Sequence, residues 1–231
     1  WSMEEPALAH EHNATGTLHA MIAARDAGVK RFVFATTSAV YGNGGAVPSR
    51  EDQPLQPESP YAATKLMNEL YAALFTRSYD LSTVGLRYFN VFGPRQDPTS
   101  AYAAAIPIFV SKTLRGEPPV IFGDGEQTRD FVYVDDVVEA NLLACAAGEG
   151  ASGEVFNIGG GASVTVNELC REIAKLLGVE SSPVHASARL GEVVHSRADI
   201  DKARRLLGFS PQCSVAEGLA RAIGWYRKHL I

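Results

Sequence analysis

The chain has 231 residues, 46% apolar and 20% charged, with 21 glycines and 12 prolines, the make-up of an ordinary soluble domain that can bury a core. Its formal charge of -5 excludes a sequence-blind nucleic-acid binder, which carries a basic patch, and its longest near-apolar stretch, Ala101 to Val110, is broken by Pro107 and too short to span a bilayer. Three scattered cysteines, Cys145, Cys170 and Cys213, make neither a disulfide framework nor a C-x-x-C zinc pair, so no metal site is expected and a reducing cytoplasm is.

The chain opens Trp1-Ser-Met and enters a helix, expected over residues 7 to 27, almost at once. A parallel α/β sheet normally begins with a strand, so the expectation is of a fold whose front is missing. Arg31 to Thr36 is a short apolar, aromatic and β-branched run that predicts a strand, and Leu81 to Arg87 and Glu154 to Ile158 read likewise. Runs apolar on nearly every residue suit strands buried on both faces of a parallel sheet. Between the first two, Ser59 is an N-cap and Pro60 a first helical residue, opening a helix through about Thr76. A further helix is expected from Asp135 to Ala147. Gly148-Glu-Gly-Ala-Ser-Gly153 spells G-x-G-x-x-G, but it follows that helix and leads into a strand. This reverses the strand-turn-helix order that presents backbone N–H groups to a pyrophosphate, so it reads as a connecting loop. Thr165 to Glu168 and Ser214 to Glu217 are capping boxes, and Gly178 and Gly208 stand where glycine ends a helix. The last helix puts Val215, Leu219, Ile223 and Tyr226 on one face, which should dock on the core. The alternation of strands and helices predicts an α/β fold.

One spacing carries chemistry. In Tyr61-Ala-Ala-Thr-Lys65, tyrosine and lysine fall on one helical face, and a neighbouring ammonium favours the phenolate, which can then act as a general base. Thr37, 24 residues upstream at a Ser/Thr-rich strand end, offers a hydroxyl to the substrate oxygen whose proton Tyr61 takes.

Four segments occur together: Ala35-Thr-Thr-Ser-Ala-Val-Tyr-Gly42, Ser59-Pro-Tyr-Ala-Ala-Thr-Lys65, Leu86-Arg-Tyr-Phe-Asn-Val-Phe-Gly-Pro94, and Gly123-Asp-Gly-Glu-Gln-Thr-Arg-Asp-Phe-Val-Tyr-Val134. In order and spacing the chain resembles the extended short-chain dehydrogenase/reductases over essentially its whole length, and among them the nucleotide-sugar 4-epimerases. The resemblance implies an NAD-binding Rossmann fold over residues 1–92 and 130–158, with a smaller α/β substrate domain over 93–129 and 159–231. The family's glycine-rich fingerprint should precede Trp1 and is absent, as is the acidic residue that would bind the adenosine ribose. Roughly the first half of the Rossmann sheet is therefore expected to be missing.

By position the resemblance makes Thr37 the hydroxyl residue, Tyr61 the base, and Lys65 the residue that tunes the base and holds the nicotinamide ribose. It places Asn13, Tyr88 and Phe89 beside NAD. It places Asn90, Arg129 and Arg189 on the substrate diphosphate, where the planar guanidinium fork suits phosphate, although Leu190 replaces the family's usual proline. Val120, Ile121 and Phe122 would run along the uracil. Ser38 and Ala39 stand where related dehydratases carry Asp-Glu, and alanine supplies neither acid nor base for loss of water. Ser196 replaces a tyrosine found in some members and leaves room for an N-acetyl group. The implied activity is inversion at C4 of a UDP-hexose, UDP-N-acetylglucosamine by preference with UDP-glucose tolerated. The alternatives are a related sugar-nucleotide reductase or decarboxylase, a non-catalytic sugar-nucleotide binder, or an inert fragment. A homodimer is expected through the helices at 7–27 and 60–76, whose apolar faces carry Leu18, Met21, Ile22, Leu66, Leu70 and Leu74.

Overall fold

The computed structural model describes residues 1–100, 104–188 and 193–229. The first helical stretch starts as α1 (Pro6–His10), passes through a π-helical turn (Glu11–Thr15) and continues as α2 (Gly16–Asp26); nothing in the residue pattern announced the π turn. Strand β1 (Arg31–Thr37) follows, ending in a short 3-10 turn (Ser38–Tyr41). Helix α3 (Pro60–Tyr79) starts where Ser59 predicted, its Oγ accepting the Ala62 N–H at 3.2 Å, and outlasts the expected end at Thr76.

Strand β2 (Ser82–Tyr88) pairs with β1 in parallel, and β7 (Glu154–Ile158) pairs with β2, giving a three-stranded parallel sheet in the order β1-β2-β7. Period-two alternation sorts its residues. Phe34, with Phe32, packs with Met21, Ala72 and Phe75 under α2 and α3. Val84, Leu86, Phe156 and Ile158 meet α5 (Val134–Ala146) and α7 (Asp201–Leu207) on the other face. Helices thus cover both faces, the doubly wound arrangement. Strand β2 is buried along its middle as expected. Strand β1, paired along one edge among the described residues, leaves Ala35 exposed and departs from the both-faces expectation. Gly85 is glycine for a packing reason: a Cβ there would stand 2.6 Å from a Val155 methyl and 2.8 Å from the Phe34 ring.

After the sheet's second strand the chain leaves through β3 (Asn90–Phe92), α4 (Ala105–Leu114), β4 (Val120–Phe122), β5 (Thr128–Arg129) and β6 (Phe131–Tyr133). Beyond β7 come β8 (Val164–Thr165), α6 (Val166–Leu177) and β9 (Val184–Ala186), with α8 (Val215–His229) closing the described chain. These short strands form two-stranded pairs, β3 with β6, β4 with β9 and β5 with β8. Their shared core joins Phe92, Phe109, Ile121, Phe131, Leu169 and Ile173 to Leu219, Ile223 and Tyr226, the expected buried face of α8. The caps are as expected. Thr165 and Glu168 make the reciprocal box, Ser214 and Glu217 do the same, and Gly178 and Gly208 end α6 and α7 in the left-handed region at φ +75. The Gly148–Gly153 stretch connects α5 to β7, a helix-to-strand loop as read from the sequence.

Candidate active site

The carboxyl ends of the parallel strands form a ledge. Thr37 and Tyr88 are paired residues at the ends of β1 and β2, and Ile158 lies opposite Tyr88 at the end of β7. From there the Phe89 N–H donates to the Ile158 carbonyl and the Asn90 N–H to the Asp130 carbonyl, each at 3.0 Å, which carries the chain off the sheet into β3. Crevices at this edge are where open α/β sheets take ligands.

Two cavities meet there. One, of about 280 Å³, is lined by Thr37, Ser38, Tyr88, Phe89, Asn90, Arg129 and Ser196. The other, of about 490 Å³, is lined by Asn90 and Arg129 again, with Val120, Ile121, Phe122, Phe109 and Phe131 supplying apolar walls. Asn90 and Arg129 are common to both. The first cavity is a polar pocket against the sheet edge, the second a largely apolar slot, and a cation stands where they join. That division matches a ligand with a hydroxylated end, an anionic middle and a planar end.

Each wall is held locally. Thr37 Oγ1 accepts the Ala39 N–H at 3.2 Å, so the hydroxyl also caps the 3-10 turn. Gly42, ending that turn at φ +64, could carry no Cβ without meeting the Gln56 carbonyl. Asn90 Nδ2 donates to the Asp130 carbonyl at 3.1 Å, and Arg129 Nη1 donates to the Thr128 carbonyl at 2.9 Å. The Ser196 N–H donates to the same Thr128 carbonyl at 3.1 Å, drawing the 193–196 segment over the pocket. Tyr88 donates its hydroxyl to Asn141 Oδ1 at 3.0 Å, and burial raises its pKa, so it is a neutral wall rather than an acid. Phe89 is packed with Val40, Tyr41, Ala198 and Ile200.

Tyr61 and Lys65 occupy the first turns of α3. Lys65 Nζ donates to the Ala35 carbonyl at 3.2 Å, two residues before Thr37, and lies 5.9 Å from the centre of the Tyr61 ring. Burial lowers the lysine's pKa. Neither residue lines the two cavities; they stand beside the pocket along the same sheet edge. Asn13 sits half-buried in the π-helical turn against α3 and lines neither cavity. Arg189 lies outside the described residues.

Several residues went unread in the sequence. Lys112 and Gln127 line the apolar slot, and His195 lines the polar pocket with its Nδ1 3.2 Å from Thr128 Oγ1. Asp130, fully buried, accepts N–H groups from Gly160 at 2.6 Å, Gly161 at 3.1 Å and Ala198 at 2.9 Å. Burial pushes its carboxyl up to about 6, with these amides and Arg197 acting in the opposite direction. Its only signal was its place beside Arg129. Under the ledge, Thr36, Glu69, Arg87, Tyr41 and Asn157 form a buried polar chain whose members looked like ordinary strand and helix residues.

Comparison with known proteins adds to this geometry. The model of the NAD dependent epimerase/dehydratase family matches residues 1–159. The UDP-glucose 4-epimerase of Mycolicibacterium smegmatis is 40% identical over 227 residues, covering 98% of this chain and 72% of the relative. A UDP-glucose 4-epimerase from Thermotoga maritima, solved with UDP-glucose, superposes with a TM-score of 0.95 at 43% identity, covering all of this chain and 74% of that one. A UDP-N-acetylglucosamine 4-epimerase from Methanobrevibacter ruminantium, solved with UDP-N-acetylmuramic acid, reaches 0.94 at 40% identity, covering 98% and 72%.

Proposed function

We propose, from the premise that this chain belongs to the NAD dependent epimerase/dehydratase family, that it is a UDP-sugar 4-epimerase which inverts C4 of a UDP-hexose through a 4-keto intermediate. The observation that carries the reading is the joined cleft, polar pocket and apolar slot about Asn90 and Arg129, with Thr37 on its floor and the Tyr61–Lys65 pair alongside.

The residues fit an NAD nicotinamide ribose. Among the described residues the half-buried Lys65 ammonium gives one of its three N–H donors to the Ala35 carbonyl, which leaves donors for ribose hydroxyls. Tyr61, Tyr88, Phe89 and Asn13 complete that side. NAD, when bound, accepts and returns the C4 hydride. The protein does the rest. Tyr61 takes the proton of the 4-hydroxyl as phenolate, favoured by the Lys65 ammonium, and returns it at the end. Thr37 hydrogen-bonds the oxygen on which carbonyl character develops. Arg129 and Asn90 hold the diphosphate while the keto sugar turns over in the pocket, with Arg189 as a further anchor. The β4 segment Val120–Phe122 runs along the uracil. Ala39, on the pocket wall where elimination would need an acid or base, keeps the chemistry from dehydration. Ser196 leaves room beside C2, so UDP-N-acetylglucosamine is accepted along with UDP-glucose.

The test is an assay with NAD and either pair of C4 epimers. Interconversion without net NADH formation is expected. A 4-keto-6-deoxy product, steady reduction of NAD, or UDP-sugar binding without turnover would overturn the reading.

A cofactor lobe (1–92, 130–158) and a substrate lobe (93–129, 159–231) share their cores at the seam: Phe92, Phe131 and Tyr133 pack with α4, α6 and α8, while α7, Ala198 and Ile200 pack on the sheet side. The three cysteines are unpaired, in keeping with a reducing compartment such as the cytoplasm. No described helix is long and apolar enough to cross a membrane. A second copy of the chain covers the groove between the first helical stretch and α3. Its walls include Ala14, Leu18, Met67, Leu70 and Leu74, with Leu70 65% exposed and Leu74 41%. Met21, also expected at this interface, is instead fully buried in the protein's own core, and Leu66 packs beside Phe89. Light scattering should give twice the single-chain mass, and Leu70→Glu should halve it; a wild-type protein already at the single-chain mass would rule the dimer out.

A further inference from the structure

Helix α3 carries Tyr61, Lys65 and Glu69 at intervals of four, one stripe along the helix. The stripe is fastened to consecutive residues of β1. Lys65 reaches the Ala35 carbonyl at 3.2 Å, and Glu69 Oε1 accepts the Thr36 hydroxyl at 2.7 Å. The next residue is Thr37. Glu69 also takes the Arg87 fork, Nε to Oε1 at 2.9 Å and Nη2 to Oε2 at 2.7 Å. The next residue after Arg87 is Tyr88, on the cleft wall. Arg87 Nη1 in turn donates to the Tyr41 hydroxyl at 2.8 Å, and that hydroxyl donates to Asn157 Oδ1 at 2.6 Å. All five side chains are buried: Thr36 3% exposed, Tyr41 3%, Glu69 7%, Arg87 2% and Asn157 0%.

One carboxylate therefore joins the helix bearing the base to both strand ends that carry the groups facing it. A hydrogen bond this short in a dry interior has little slack. Thr83, on β2 opposite Phe32, makes a comparable contact further down the same helix and far from the cleft, its hydroxyl lying 3.0 Å from the Ala72 carbonyl and 2.8 Å from the Thr76 hydroxyl.

We propose that Thr36 and Glu69 are positioning residues for the epimerisation: through their mutual hydrogen bond they set the placement of Tyr61 relative to Thr37, and so the rate of proton transfer. This rests on the epimerase reading above, in which Tyr61 is the base and Thr37 its partner.

Thr36→Val removes the hydroxyl at nearly constant volume, and Thr83→Val does the same at the distant contact. A misplacement of about an ångström costs on the order of 100-fold in rate. Thr36→Val should lower kcat by roughly 10- to 100-fold while KM for the UDP-sugar stays within about twofold, because the binding walls at Arg129 and Val120 are untouched. Thr36→Ser, which restores the hydroxyl, should recover most of the rate. Thr83→Val, with a comparable loss of melting temperature, should keep kcat near wild type. Equal losses of kcat in both valine variants would make the tie a matter of general stability and overturn the proposal, as would an unchanged kcat in Thr36→Val. An inactive wild-type enzyme overturns the epimerase reading and this inference together, whereas an active one with an indifferent Thr36→Val overturns this inference alone.

Discussion

Tyr61→Phe is expected to lower turnover by at least about 10² to 10⁴, the usual worth of a positioned general base, while the KM for UDP-sugar moves little. The ring survives the change, so its packing at the start of α3 and its contact with Lys65 survive too. What goes is the one oxygen that can take the 4-hydroxyl proton. Affinity is held elsewhere, by Arg129 and Asn90 at the junction of the two cavities and by the apolar slot beyond them. Steady-state rates with UDP-glucose and NAD decide the matter. A variant within about threefold of wild type in kcat would remove Tyr61 from the role of base.

The second large effect concerns folding. Burial acts against the Arg87 charge, but its hydrogen bonds to Glu69, together with Tyr41, hold the guanidinium firmly protonated. Arg87→Met should destabilise the protein by about 3–5 kcal/mol, because it leaves the Glu69 carboxylate buried without a counter-charge. The double variant Arg87→Met with Glu69→Leu should recover a large part of that loss, since two apolar side chains do not strand an ion. Denaturant unfolding followed by circular dichroism measures both. A loss below about 1 kcal/mol for the single variant would mean that the carboxylate finds water or a proton and that the pair is no clamp.

What could be read from residues alone was local. The N-cap at Ser59, the two capping boxes, the terminal glycines and the apolar strands each carry their signal within a few positions, and each formed where expected, with β1 less buried than its residues predicted. The cleft was legible for a different reason: Thr37, Asn90 and Arg129 lie in motifs long enough to be matched by order and spacing. The short strand pairs were not legible. Two or three residues give no period, and the partner of Val120 is Val184, far along the chain. The buried polar chain escaped for a related reason. Arg87 sits in an apolar strand and Glu69 is one of three charged residues on α3, and only the packing of α3 on the sheet puts one against the other. Asn13, placed beside NAD by its position in the sequence, sits in the π-helical turn, a local form that no residue pattern announced.

Asp130 has a consequence for how the protein reaches its working form. Its carboxylate gathers the glycines that follow β7 and the backbone of Ala198, and the segment just before Ala198 closes the pocket holding Thr37. The pocket walls thus come from residues 37–42, 88–90, 129 and 193–196, spread over most of the chain. Contacts of such sequence separation form late, after the cost of closing long loops has been met. A molecule in which these distant segments have not met has no place for a sugar nucleotide. Its ligand therefore recognises only the finished fold, and the free energy of binding adds directly to the stability of that state as ligand concentration rises. In a cell the substrate would serve this protein as a folding ligand as well as a reactant.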